Sequence, residues 1–263
     1  VIRAASAFLG AALVLLAGTP APVVFAGEQV ARYRGDGDAA RLFDQFDNDG
    51  YSLAVAAGPA GSVELSVRVS DSPLASRAPF PTGLTRDKTL PPAPDRDAFA
   101  ESAVRGATTE AVAVERILSA LAAAVRYDPD RVRRQDPTAV FAERHANCVG
   151  LSELAVDLLR RAGIRARTVQ GVLRMEPGAP GYDRQIGGAY HRWIEVHYPD
   201  RGFAFSDPSA SVNGVDARYL PFARRAYAKP KDLRLTPVAM SGGLAYQSIP
   251  AGGTRLLLRA REP

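Results

Sequence analysis

Hydrophobic positions change rhythm along the chain, from every second residue to every third or fourth and back again. Residues 51–57 and 62–70 show partial alternation, and Gly58-Pro59-Ala60-Gly61 between them predicts a hairpin. Residues 72–94 are proline-rich with little periodicity, and read as a linker or covering loop. From residue 95 the period becomes helical. A first helix is expected over 95–104. Thr108 is expected to cap a second, with Val114, Ile117, Leu118, Leu121, Ala122 and Val125 on one stripe, ending near Tyr127. Asp136-Pro137 supplies an N-cap and a first-turn proline for a short helix through Glu143. The strongest pattern follows Cys148: Leu151, Leu154, Ala155, Leu158, Leu159 and Ala162 form one face, and Gly163 stands where a left-handed C-cap belongs. Ser152, Glu153, Asp157, Arg160 and Arg161 are expected on the opposite, solvent side. Beyond Gly163, strands are expected over 165–173, 190–198 and 203–207, then over 233–238 and 254–260. Helices first and antiparallel strands second describe an α+β fold: helices on an antiparallel sheet, with a smaller β-rich region ahead of them.

Three units are expected. Residues 1–27 read as an export signal: Arg3, an apolar run from Ala4 to Gly18, then Val24-Phe25-Ala26 with small residues where a signal peptidase reads. The run is short for a membrane span, so membrane attachment would require the segment to stay uncleaved. Residues 28–94 are the β-rich region and linker, and 95–263 the catalytic domain. The place of action is therefore secreted, periplasmic or at the cell envelope.

The net charge of +5 comes almost wholly from scattered arginines without interleaved aromatic residues, which argues against a nucleic-acid surface. A single cysteine permits no intramolecular disulfide. Asp47-Asn48-Asp49-Gly50 resembles part of a calcium loop, but Gln45 and Ala56 occupy its first and last ligand positions, so it reads as a tight turn. A metal site from Cys148, His145, His191 and His197 fails on distance, because His191 and His197 lie about 20 Å apart on one strand. No metal or cofactor is expected.

Cys148 opens a helix, where free N–H groups and the positive dipole end favour thiolate. His191 begins a strand, and Asp207 ends the next one sixteen residues on, after the turn Pro199-Asp200-Arg201-Gly202. A hairpin is expected to bring Asp207 level with His191, where it would orient the imidazole and favour its charged form. The rival acids are Asp200, already in the turn, and Asp216, farther along the chain.

These residues resemble the transglutaminase-like superfamily, in three motifs in order. They are the cysteine-opened helix ending Arg161-Ala162-Gly163-Ile164-Arg165-Ala166-Arg167, then His191-Arg192-Trp193-Ile194-Glu195-Val196, then Asp207-Pro208-Ser209. The resemblance spans about residues 108–210. It implies a papain-like core with Cys148 as nucleophile, His191 as general base and acid, and Asp207 as orienting carboxylate. Where that family has a small residue about two before the cysteine, this chain has Ala146-Asn147. The backbone N–H of Cys148 is the expected oxyanion donor, with Asn147 the side chain to test. The function implied is an exported thiol enzyme acting on an amide or peptide acyl group through a thioester, with a protein or peptide as partner. Release to water is favoured over release to an amine, and the loop 176–188 is placed to line or cover the cleft. The alternative is a binding or assembly module that keeps the fold without turnover.

Overall fold

The computed structural model describes residues 21–70, 76–81, 86–129, 133–179, 181–223, 230–242, 245–248 and 256–258. The first twenty residues of the expected export segment, and all but three of the expected strand over 254–260, lie outside them. Ala21–Ala26 forms strand β1.

The β-rich region consists of β2 (Gln29–Gly37), the short helix α1 (Ala39–Leu42), β3 (Phe46–Asn48), β4 (Tyr51–Ala57) and β5 (Val63–Val69). In β5, Val63, Leu65, Val67 and Val69 are buried while Glu64 and Arg68 face out, the period-two pattern of a strand with one apolar face. Of the Asp47–Gly50 segment expected as a tight turn, Asp47 and Asn48 belong to β3 and pair with Ser52 and Tyr51, and Asp49-Gly50 makes the turn into β4.

Helices α2 (Pro94–Val104), α3 (Glu110–Ala124), α4 (Pro137–Glu143) and α5 (Cys148–Arg161) follow, with two-residue strands β6 (Arg126–Tyr127) and β7 (His145–Ala146) pairing in parallel just ahead of the cysteine. The cap of α3 is Thr109 and not Thr108: the Thr109 hydroxyl accepts the Val112 N–H, while Thr108 pairs with Phe80 through its carbonyl. Asp136 caps α4 as expected, accepting the Ala139 N–H. Gly163 has φ +82°, the left-handed conformation expected past the end of α5.

One face of α5 departs from expectation. Ser152, Asp157 and Arg161 are buried. Asp157 and Arg161 lie under α2, whereas Ser152 faces β9. Arg161 donates to Asp157 at 2.7 Å and to Asp97 at 2.6 Å, and Arg96 is 3.2 Å from Asp157, so the buried charges are paired.

The remaining strands are β8 (Ala166–Arg174), β9 (Gly188–Tyr198), β10 (Gly202–Ser206), β11 (Ser211–Val212), β12 (Tyr219–Pro221), β13 (Leu233–Gly242), β14 (Ala245–Ser248) and β15 (Leu256–Leu258). The central sheet runs β10-β9-β8-β12, antiparallel throughout. A second sheet runs β13-β2-β5-β4-β3, so the β-rich region takes in a strand from near the far end of the chain.

Alternation along β9 divides the core. Ile194, Val196 and Tyr198 pack with the helical stripe of Val114, Ile117, Leu118, Leu154 and Leu158. Trp193 turns the other way, into a cluster with Leu53, Leu65, Phe205 and Tyr219. The central sheet is thus covered by helices on one face and by the N-terminal sheet on the other, an α+β arrangement as expected. Each fully buried leucine in these layers contributes about 1.5–3 kcal/mol.

Candidate active site

Cys148 is the first residue of α5, and Asn147 before it has extended backbone and caps the helix. The Asn147 Oδ1 accepts the N–H groups of Val149 at 2.9 Å and Gly150 at 3.4 Å. That side chain is therefore a cap, and its oxygen is committed to the helix. The capping bonds take the N–H groups of the next two residues and not that of Cys148 itself. One turn into the helix, the Ser152 hydroxyl donates to the Arg192 carbonyl at 3.0 Å, tying α5 to β9 one residue beyond His191.

Cys148 is partly exposed. Burial pushes its thiol up, but a hydrogen bond to the His191 imidazole, the charge of that ring and the Arg192 N–H outweigh it, and the net displacement is downward. His191 is buried, and its Nε2 lies 2.6 Å from Asp207 Oδ2. With Nε2 so engaged, Nδ1 is the ring nitrogen left for the sulfur. Burial alone would lower the imidazole, yet the Asp207 charge and hydrogen bond, with Cys148 behind them, raise it to about 10. Asp207 is 0% exposed; burial pushes it up, and the His191 charge and the Ser209 hydrogen bonds bring it below the ordinary carboxylate value. The structure thus brings Cys148, His191 and Asp207 together.

The register differs in one detail from the expected hairpin. The ladder ends with Ser206 paired to Ile194, so Asp207, one residue past its end, is not level with His191 and reaches it from beyond the last pair. His191 is itself paired with Gly171, where a Cβ would lie 2.1 Å from the Leu220 carbonyl oxygen and 2.7 Å from the Trp193 ring. Only glycine lets β12 approach this closely.

Two partners of Asp207 escape a sequence reading. Ser209 donates to Oδ1 through its N–H at 2.8 Å and its hydroxyl at 2.6 Å. The Asp-Pro-Ser spacing carries that signal, since a hydroxyl two residues past an aspartate closes a turn on it. Tyr219 donates to Oδ2 at 2.9 Å, and nothing in its surrounding sequence marks it. The loop 176–188 is pinned into the core by Ile186 and held at Gly187 by Arg174, 3.0 Å from the carbonyl. A groove of about 430 Å³ runs along β8, lined by Phe46, Glu153, Arg167, Gln170, Arg192 and Phe222.

Residues 97–208 match the family model of the transglutaminase-like superfamily, a span that takes in Cys148, His191 and Asp207. Residues 97–208 are a transglutaminase-like domain. The superfamily includes cysteine peptidases and acyltransferases. The sequence matches no curated protein. Among solved structures, the chain is similar to a candidate cysteine protease from Cytophaga hutchinsonii, with 13% identity and a TM-score of 0.41, over 90% of this chain and 94% of that one. It is also similar to the periplasmic domain of TgpA from Pseudomonas aeruginosa, with 16% identity and a TM-score of 0.37, over 73% of this chain and 88% of that one. A third likeness is to a TGase, with 15% identity and a TM-score of 0.36, over 68% of this chain and 49% of that one. The N-terminal sheet and Tyr219 lie outside the transglutaminase-like span, although they share a hydrophobic cluster with Trp193. Among the described residues, no helix is long and apolar enough to cross a membrane, and no group of three or more His, Cys, Asp or Glu could hold a metal ion.

Proposed function

We propose that this chain is an exported thiol enzyme that cleaves an amide bond in a protein or peptide, acting outside the cytoplasm or at the cell envelope. Cys148 is the nucleophile, His191 the general base and acid, and Asp207 the carboxylate that holds the ring. The catalytic domain is 95–263, and 28–94 is the smaller unit ahead of it. The observation that carries the reading is the His191 ring held between Asp207, 2.6 Å from its Nε2, and a hydrogen bond with the Cys148 thiol, an arrangement that lowers the thiol, raises the imidazole and so favours a thiolate–imidazolium pair.

The thiolate attacks the amide carbonyl carbon, forming a C–S bond and placing charge on the carbonyl oxygen. The Cys148 N–H at the start of α5 is the donor for that oxyanion. The intermediate collapses as the C–N bond breaks, and the His191 imidazolium gives its proton to the departing amine. His191, now neutral, takes a proton from water as the water oxygen attacks the thioester. The C–S bond breaks, the acid leaves, and the thiolate and imidazolium are restored.

Mass spectrometry of peptide substrates in ¹⁸O-water with an added primary amine tests the reading. Cleavage with ¹⁸O in the new carboxylate is expected, and its loss in Cys148→Ala. An amine adduct without ¹⁸O incorporation would assign transamidation instead. Turnover retained by Cys148→Ala would exclude the thiol mechanism.

A further inference from the structure

The N-terminal sheet reaches the site through hydroxyl groups. Tyr33 on β2 donates to the Ala217 carbonyl at 2.9 Å, and Tyr51 on β4 donates to the Tyr219 carbonyl at 2.5 Å. Gln29 Oε1 accepts the Ala217 N–H at 3.0 Å. Three side chains from one sheet therefore grip the 217–219 segment. From that segment the Tyr219 hydroxyl goes on to Asp207 Oδ2, the same oxygen that His191 Nε2 meets.

All three tyrosines are buried in an apolar cluster where phenylalanine would pack as well. A buried hydroxyl is costly unless bonded, so its presence at all three positions points to the bonds and not to the rings. The Tyr219 ring also stands edge-on to His191, with centroids 5.8 Å apart, and to Trp193 at 5.3 Å. Burial and the Asp207 charge push its hydroxyl well above the ordinary value, so it stays a donor.

We propose that Tyr219 is a positioning residue for the Asp207 carboxylate, and that the N-terminal sheet sets its place through Tyr33 and Tyr51. This rests on the reading of Cys148 and His191 as a reactive pair. Ser209 holds only Oδ1, so at Oδ2 the Tyr219 hydroxyl is the partner besides His191 itself. The Tyr219 hydroxyl fixes Oδ2 in line with Nε2, and without it the imidazolium, and the thiolate it supports, lose stabilisation.

The test is the pH dependence of iodoacetamide labelling, read by intact mass on the full chain, which has a single cysteine. Tyr219→Phe keeps the ring. Its acid limb is expected to move up by about one pH unit, with labelling on that limb slowed about tenfold, the scale of one hydrogen bond to a charged group. Tyr51→Phe is expected to shift the limb the same way by less, and it serves as the measured variant should Tyr219→Phe not fold. Loss of packing alone would lower the melting temperature without moving the limb. A fast wild type with an unmoved or lowered limb in folded Tyr219→Phe overturns the Tyr219 role, and one in Tyr51→Phe overturns the role of the sheet. A wild-type thiol that labels slowly below pH 8 overturns the reactive-pair reading, and this inference with it.

Discussion

His191 on β9 and Asp207 just past the end of β10 meet with Nε2 and Oδ2 2.6 Å apart, although the ladder between the strands ends at Ile194 and Ser206. Their contact therefore depends on side-chain direction as well as strand register. Ser209 and Tyr219 supply that direction from the two sides of the carboxylate.

The charge of Asp207 is the first thing to remove. Asp207→Asn keeps the size of a fully buried side chain but withdraws the chief support of the imidazolium. Labelling of Cys148 at pH 6 is expected to fall at least about tenfold, with little change near pH 10, where thiols ionise unaided. Quenched labelling at both pH values checks this; equal rates at pH 6 would show that Asp207 does not act through His191.

Stability should follow the same pair in pH. His191 is raised from 6.5 to about 10, so its contribution is complete below pH 6.5 and is lost as pH rises through about 10. Asp207 is lowered from 3.8, so its contribution is present above that value and is lost as pH falls through its folded pKa. Thermal melting of the wild type against His191→Gln should show the largest gap between these limits, narrowing at both ends. A gap independent of pH would deny the linkage.

Gly171→Ala tests the approach of β12 to β8. A Cβ there would meet backbone that cannot move aside locally, so β12 must shift, at a cost of about 1–3 kcal/mol. A fall in denaturation midpoint with slower Cys148 labelling is expected, since Tyr219 begins β12. Unchanged stability would mean that the strands are not held this close.

Asn147 should behave as a cap. Asn147→Ala is expected to cost about 1 kcal/mol, and Asn147→Ser to recover most of it, with turnover recovering in parallel. If stability returned in the serine variant while turnover stayed lost, the amide nitrogen would be the oxyanion donor.

Much of this was legible along the chain because it is local. Spacing of three and four marks α3 and α5, alternation marks β4 and β5, and Asp136-Pro137 marks the start of α4. The order Cys148, His191, Asp207 carried the superfamily resemblance. What was hidden depends on distant pairing. No local pattern tells β13 to return to β2, or sends Tyr51 to Tyr219, 168 residues away. Two adjacent threonines offered the cap of α3, and only backbone geometry selects Thr109. Ser152, Asp157 and Arg161 looked solvent-facing because a helical wheel cannot show that β9 covers the first and α2 the other two.

The most direct measurement is the rate of iodoacetamide labelling of Cys148 from pH 5 to 10 in the wild type and in His191→Ala. A coupled pair gives fast wild-type labelling well below pH 8, and a His191→Ala profile that is slow there and rises only as an ordinary thiol ionises. Superimposable profiles would mean that the imidazole does not support the thiolate, and the thiol chemistry assigned to Cys148 would be wrong.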